Sequence, residues 1–323
     1  MVMRLEDYLQ DIKTMAVSGH IRPDGDCIGS VLGVYNYVRK CHPEIQIIAY
    51  LEPIPFDFEF LPNSDKLKRA NKYDNTSYDL FICCDCGDLS RLGDSAVYFE
   101  HAKRTICIDH HETNGSFADV NYVFPEASST CELIGEVIDR EHIDKDIAEC
   151  LYTGIVTDTG VFQYNCTHSS TMNFAGYLMD LGIDYSYIVD HVFFTKSLKQ
   201  LQMLGVAITN ARTFLGGKVI ASFVTSDEMK KYDAAPKNME GVVGTLRSVE
   251  GVEDAFFMYP TEDGSYKVSA RSATDTVDLA ALASQYGGGG HKRAAGFSMD
   301  GTDPCEMIGE LIIKVAQFFQ GDK

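Results

Sequence analysis

Two α/β domains, a larger one built on a parallel sheet and a smaller one of mixed α/β type, are the architecture this 323-residue chain predicts. Three observations carry the expectation. The length exceeds the usual single domain. The first half alternates short apolar runs with helix-period stretches, the rhythm of βα units. After a polar helical stretch, strand-like runs return in hairpin spacing. In order, MAVSG (15–19), IQIIAYL (45–51), DLFICCD (79–85) and RTICID (104–109) read as strands, with a helix over 28–40 after the first. Helices then fit 131–142, 145–157 and 170–181, the last stopped by Gly182. Residues 184–210 are helical in pattern and largely polar, which suits a connector, so the expected division is 1–190, a helical linker 191–211, and 212–323. In the last part TFLGGKVIASFV (213–224) reads as a hairpin turning at Gly216-Gly217, and DAFFMYP (254–260) and SYKVSARS (265–272) as strands. Residues 277–299 read as helix, glycine-rich turn and strand, and a helix closes the chain from 306.

Composition excludes several classes of function. Against 47 Asp and Glu stand 28 Lys and Arg, a net charge of −19, and no stretch gathers cations into a track for a long polyanion. Tight binding along DNA or RNA is therefore not expected. A small charged substrate stays open, because a few local cations or metal ions can hold it against the global field. The start, MVMRLEDYLQ, is charged where a signal peptide is apolar, and no run of about 18 apolar residues occurs, so a cytoplasmic protein without membrane contact is expected. Ten cysteines lie scattered without framework spacing and read as reduced thiols. Cys83-Cys84-Asp85-Cys86 contains a C-x-x-C, but residues three apart on a strand face opposite ways, so packing is expected there and not redox chemistry.

Acidic and histidine clusters fall where the apolar runs end. His20, Asp24 and Asp26 follow the first, Asp85 ends the third, and Asp109, His110 and His111 end the fourth. Asp158 closes an apolar helix in GIVTDTGVFQY. In an open α/β sheet, strand carboxyl ends converge on one crevice, so these separate segments would meet. Taken singly, an aspartate at a strand end is more simply the N-cap of the next helix. Four clusters at element ends, in a chain with nine histidines, weigh against that reading. Carboxylates with a few imidazoles suit Mn²⁺ or Mg²⁺, and two such ions about 3.5–4 Å apart would clamp a phosphoryl group and acidify a bridging water.

HIRPDGDCIGS (20–30), DCGD (85–88), DHH (109–111) and the aspartate of TDTG (157–160) resemble, in order, the four motifs of the DHH phosphoesterase superfamily. GGGGHKRAAGF (287–297) resembles the signature of its DHH-associated C-terminal domain. Within the superfamily the chain is most similar to bacterial bifunctional oligoribonucleases that are also 3′-phosphoadenosine 5′-phosphate phosphatases. The resemblance implies two divalent ions, with Mn²⁺ the expected metal: one held by His20, Asp24 and Asp85, the other by Asp26, Asp85, His110 and Asp158. Asp85 would bridge them, Asp109 would orient His110 or its neighbours, and His111 would face the substrate, donating to a phosphoryl oxygen or assisting the leaving group.

The glycine turn 287–290 strips side chains from the backbone, so that the N–H groups of Gly288, Gly289 and Gly290 would approach an anion beside His291. A helix stop explains Gly287 equally well. Arg271 is the second candidate phosphate ligand, although a surface arginine on a strand reads the same way. The resemblance implies that this domain grips the nucleotide across an interdomain cleft. Expected substrates are short oligoribonucleotides or small phosphonucleotides, and a homodimer is allowed. Cyclic di-AMP or its linear product is the rival substrate. Inorganic pyrophosphate is disfavoured by the glycine signature, and a non-catalytic nucleotide sensor by the full ligand set.

Overall fold

The computed structural model describes residues 3–319, which divide into two compact units, 3–195 and 196–319. In the first, α1 (Glu6–Leu9), β1 (Thr14–Ser18), α2 (Gly25–Cys41), β2 (Gln46–Tyr50), β3 (Leu80–Cys84), α3 (Ala96–His101), β4 (Thr105–Asp109) and β5 (Val120–Val123) are followed by α4 (Thr130–Val137), α5 (Lys145–Asp158), α6 (Ser169–Asp180) and α7 (Tyr185–Val189). Every strand pairing is parallel, in the order β2-β1-β3-β4-β5. Both faces are covered, which is why the strands read as continuous apolar runs. Leu80, Ile82 and Cys84 enter the core with α2, α4 and α5, while Phe81 and Cys83 point the other way, into a core with Tyr78, Tyr98 and Phe99.

The chain leaves β1 toward β2 on one side and leaves β3 toward β4 on the other, so a crevice opens at the carboxyl ends of the adjacent strands β1 and β3. A second feature sets the geometry there. Helix α2 is buried from Gly25 to Val38 and carries Gly25, Gly29 and Gly33 one turn apart along its face toward α5. A Cβ on Gly25 would strike Thr157, one on Gly29 the carbonyl oxygen of Cys150, and one on Gly33 the side chain of Leu151. The two helices thus meet backbone to backbone, with the amino end of α2 against the carboxyl end of α5.

The second unit comprises α8 (Leu198–Asn210), β6 (Arg212–Phe214), β7 (Val219–Phe223), α9 (Ser226–Lys231), α10 (Val242–Arg247), β8 (Asp254–Pro260), β9 (Tyr266–Ser272), α11 (Leu279–Ser284), β10 (Gly289–His291), β11 (Ala294–Met299) and α12 (Pro304–Phe318). Its sheet runs β10-β11-β9-β8-β7-β6 and is antiparallel except for β7 with β8. Phe256 and Met258 face one core with residues of α11 and α12, and Ala255, Phe257 and Tyr259 another with residues of α8 and α10.

The stretch 184–210 differs from a single polar connector. A π turn at Asp190–Phe194 ends the first unit, and Ser197 starts α8 with a capping box to Gln200. Met203 and Ala207 of α8 are fully buried in the second unit, so this helix is part of that unit's core. Helix α4 also stops at Val137, short of the expected 142, where Ile138 turns extended. Among the described residues no helix is long and apolar enough to cross a membrane.

Candidate active site

His20 follows β1, and its Nδ1 lies 2.8 Å from the carbonyl oxygen of Ile21, which turns Nε2 toward carboxylates: 3.4 Å to Asp85 Oδ2 and 3.7 Å to Asp24 Oδ2. Asp24 is the N-cap of α2, accepting from the Cys27 N–H with one oxygen and leaving much of its side chain in solvent. Asp26, in the first turn, is fully buried, and its two oxygens accept from the N–H groups of Thr130 and Cys131 at the start of α4. That arrangement suits an anion at a helix amino terminus.

Asp85 leaves β3 with a left-handed backbone, φ 53°, and its N–H is tied to the Ile108 carbonyl. A non-glycine residue in that region costs of order 1–3 kcal/mol and marks a position held by its surroundings. The turn points its two oxygens apart. Oδ2 faces His20, while Oδ1 accepts from the Thr130 hydroxyl at 3.1 Å and lies 3.6 Å from His110 Nε2. His110 Nε2 is also 3.1 Å from Asp158 Oδ2 and 3.9 Å from Asp26 Oδ2, because the α2–α5 contact brings the carboxyl end of α5 to this spot. Asp109, fully buried at the end of β4, lies 2.7 Å from His111 Nδ1 and accepts from Asn114 Nδ2 at 2.7 Å. Its partner is thus His111, and His110 has the Ala127 carbonyl, 3.4 Å from its Nδ1.

The eight residues singled out in the first half therefore share one site. Asn114, Thr130 and Cys131 complete it and were not anticipated. Asn114 stands in the turn after DHH, and Thr130 and Cys131 in the capped helix start SSTCE, so both looked like ordinary turn and cap chemistry. The C-x-x-C behaves differently from the strand argument. The left-handed turn at Asp85 breaks the alternation and returns Cys86 to the face of Cys83 and Cys107, all three being buried free thiols. The Cys83 thiol pulls the Cys86 thiol below its usual range, while burial pushes Cys83 up.

Electrostatically the cluster is starved of positive charge. Burial, followed by the fields of Asp85 and Asp158, holds Asp26 well above the usual carboxylate range. Burial works against a charged ring at His110, yet the Asp158 contact and the carboxylates of Asp26 and Asp85 outweigh it and raise the imidazole to about 10. His20 is likewise raised, burial again being overcome by Asp24 and Asp85. Four carboxylates and two inward-facing imidazoles are hard and borderline donors that fit divalent cations of the Mn²⁺ or Mg²⁺ type, which would take over the charge balance from these protons. Three groups of donor atoms close enough to share an ion occur here: His20, Cys27 and Asp85; Asp85, His110 and His111; and Asp26, His110 and Asp158.

In the second unit, His291, Ala294 and Arg271 sit side by side across β10, β11 and β9, so the imidazole and the guanidinium share one face of the sheet with a methyl between them. Both are exposed, and Arg271 has no carboxylate partner among the described residues, whereas Lys292 and Arg293 share Asp275. The glycine run is not itself the turn. Lys292 and Arg293 turn the hairpin, Gly289 and Gly290 lie in β10, and Gly287 (φ 72°) ends α11. Gly288 is required by Phe297 and the Gly296 carbonyl, and Gly290 (φ 146°) by the Ala294 carbonyl. Gly289, with nothing near it, lies open on the sheet's edge strand.

The sequence pattern of the DHH family N-terminal domain matches residues 14–155, and that of the DHHA1 domain matches 216–321. Over 302 residues, 91% of this chain and 92% of the relative, the sequence is 30% identical to the bifunctional oligoribonuclease and PAP phosphatase NrnA of Bacillus subtilis (strain 168). It is 26% identical to the cyclic-di-AMP phosphodiesterase PdeA of Listeria monocytogenes, over 98% of this chain and 50% of that protein. A crystal structure of an exopolyphosphatase-related protein from Bacteroides fragilis superposes with a TM-score of 0.87 at 26% identity, covering 98% of this chain and 95% of that one.

Proposed function

Because this chain belongs to the DHH phosphoesterase family, we propose that it is a two-metal phosphohydrolase that releases 5′-mononucleotides from short oligoribonucleotides and removes the 3′-phosphate of 3′-phosphoadenosine 5′-phosphate. One observation carries the reading: the strained turn at Asp85 aims one carboxylate oxygen at the His20 group and the other at the His110 group, the arrangement a bridging ligand needs. His20, Asp24 and Asp85 would hold one ion, and Asp26, Asp85, His110 and Asp158 the other. Two bound divalent ions supply Lewis-acid charge at a phosphoryl oxygen and acidify a water.

The remaining chemistry falls to the chain. Asp109 keeps the Nδ1 proton of His111 and raises that ring's affinity for a second one, so the partly exposed Nε2 presents a proton to the departing oxygen. Asn114 fixes the far oxygen of Asp109 and so the rotamer of the pair. In the second unit Arg271 and His291, beside the N–H groups of Gly289 and Gly290, hold the nucleotide's own phosphate, the Gly288 N–H being spent on the Ala283 carbonyl. A second reading, hydrolysis of cyclic di-AMP or its linear product, draws on the likeness to PdeA, a protein twice the length matched here.

An assay with Mn²⁺ of 3′-phosphoadenosine 5′-phosphate, di- to pentaribonucleotides, cyclic di-AMP and pyrophosphate tests both readings. Mononucleotide release from the oligomers together with phosphate from the bisphosphate is expected. Turnover of pyrophosphate alone, or of none, overturns the proposal. Arg271→Ala and His291→Ala should each lower kcat/KM on nucleotides about ten- to a hundredfold while affecting p-nitrophenyl phosphate much less.

A further inference from the structure

Beside the carboxylate cluster, at the carboxyl ends of β1 and β2, the first unit contains a cavity of about 200 Å³ that none of the ligand roles uses. His20 belongs to both: it lines the cavity and turns Nε2 toward Asp24 and Asp85. The lining is mixed, and its apolar part comes from Ile21, Tyr50 and Leu92. Tyr50 is held rigidly, stacked on Tyr98 at 4.5 Å between ring centres and hydrogen-bonded to the Tyr78 hydroxyl. Ser18 and Ser95 line the cavity with hydroxyls that satisfy each other at 2.8 Å, so the polar atoms of the lining that remain available lie on Glu52, Arg69 and Asp94. Arg69 and Asp94 have no ion pair or side-chain hydrogen bond among the described residues, and Glu52 accepts only the Arg22 N–H, at 2.8 Å.

That last bond ties the cavity to the reaction centre. Arg22 lies between His20 and Asp24 with a left-handed φ of 55°, a conformation that needs outside support, and Glu52 supplies it from the cavity wall. The Ile21 N–H is in turn held by the Arg91 carbonyl. One loop therefore carries the ligands and forms the wall of the cavity.

The chemistry of the lining selects the occupant. Two carboxylates against one guanidinium disfavour a second phosphate. The volume lies below the roughly 300–1,000 Å³ of sites that hold whole drug-sized ligands, so one ring system is the fitting size. A few apolar side chains, one of them a rigid aromatic ring, together with free acceptors and a free donor match a flat heterocycle that carries N–H donors and ring acceptors on its edge, as purines do. We propose that this cavity receives the purine base of the nucleotide whose phosphate lies at the carboxylate–histidine cluster. The inference rests on the phosphoesterase reading above.

Calorimetric titration of the Mn²⁺-loaded protein with AMP, GMP and ribose 5-phosphate tests it. The wild type should bind both nucleotides about tenfold or more tighter than the base-free phosphate. Arg69→Ala, at an exposed position, and Ala70→Leu, which fills the cavity, should each bring nucleotide affinity down to that of ribose 5-phosphate. An advantage for the base that survives in both variants, or its absence from the wild type while nucleotides are still hydrolysed, overturns the cavity assignment and leaves the phosphoesterase reading standing. A fully metal-loaded wild type that hydrolyses no phosphoester overturns both.

Discussion

Asp85 concentrates the logic of the site in one side chain. The residue is buried, strained and shared by two donor groups, so its loss should separate folding from function. Asp85→Ala is expected to lower turnover on every substrate at least about a hundredfold and to drop bound Mn²⁺ from two ions per chain to one or none, with an unchanged far-UV spectrum. Metal analysis beside the assay checks this, and two ions retained in an active variant would contradict the bridging role. The raised imidazoles make a further prediction. His20 and His110 hold protons in the metal-free protein, and an ion requires neutral rings, so binding must release protons. Mn²⁺ affinity should rise from pH 6 to pH 8 by up to about tenfold per pH unit for each proton displaced. Titration in two buffers of different ionisation enthalpy counts them, and zero released protons would refute the argument. The clustering of these residues was legible in the sequence because histidines and paired aspartates at strand ends are unusual. Asn114 and Thr130 were not, because a turn asparagine and a threonine at a helix start carry no signal beyond local structure, and their work is done on residues far away in sequence.

At the level of elements, the glycine seam between α2 and α5 is what brings Asp26 and Asp158 within reach of one histidine. Gly29→Ala gains about 1 kcal/mol of helix propensity. It also drives a methyl into the Cys150 carbonyl, and backbone cannot yield as a side chain does, so a net loss of about 1–3 kcal/mol is expected, with weaker Mn²⁺ binding. Gly33→Ala meets only the tip of Leu151 and should be milder in both. Denaturant unfolding and metal titration of the pair test this, and equal effects would count against the seam. The second unit holds a different liability. Asp254, at the start of β8, is fully buried with no hydrogen bond to either oxygen, since Ser272 opposite gives its hydroxyl to Thr274. Burial raises its carboxyl to about 6. A folded-state value above the unfolded one means stability is full at low pH and is lost as pH rises through about 6. Asp254→Asn should match the wild type near pH 4 and exceed it near pH 8 by on the order of 2 kcal/mol. A variant less stable at pH 8 would show that the charge is compensated. Strands β1, β3 and β4 could be read from the sequence because burial on both faces makes them unbroken apolar runs. Strand β5, four residues at the sheet's edge with Asn121 in it, makes no such run, and α9 and α10, six residues each, are too short for a helical period.

Across the whole molecule the net charge of −19 decides what reaches the site. Substrate phosphates approach a cluster of carboxylates inside an acidic protein, and divalent ions offset that repulsion only where they are bound. Every phosphate beyond that reach adds repulsion without a compensating cation, and the chain has no basic track to provide one. Rates should therefore fall steeply beyond about five nucleotides, since a Debye length of about 10 Å at 0.1 M salt leaves the next few phosphates within the protein's field. Salt gives the test its sign. A protein that binds nucleic acid through lysines and arginines loses affinity as salt rises, because each counterion released gains less entropy in a saltier solution. Here added monovalent salt screens repulsion, so raising it from about 0.05 to 0.2 M at saturating Mn²⁺ should increase kcat/KM on a decamer relative to that on a dimer. Measuring both lengths in the same salt series cancels any effect of salt on metal binding, which is common to the two. Equal rates on a dinucleotide and a 25-mer, or a decamer rate that falls with salt faster than the dimer rate, would mean that a positively charged path exists which the sequence does not display.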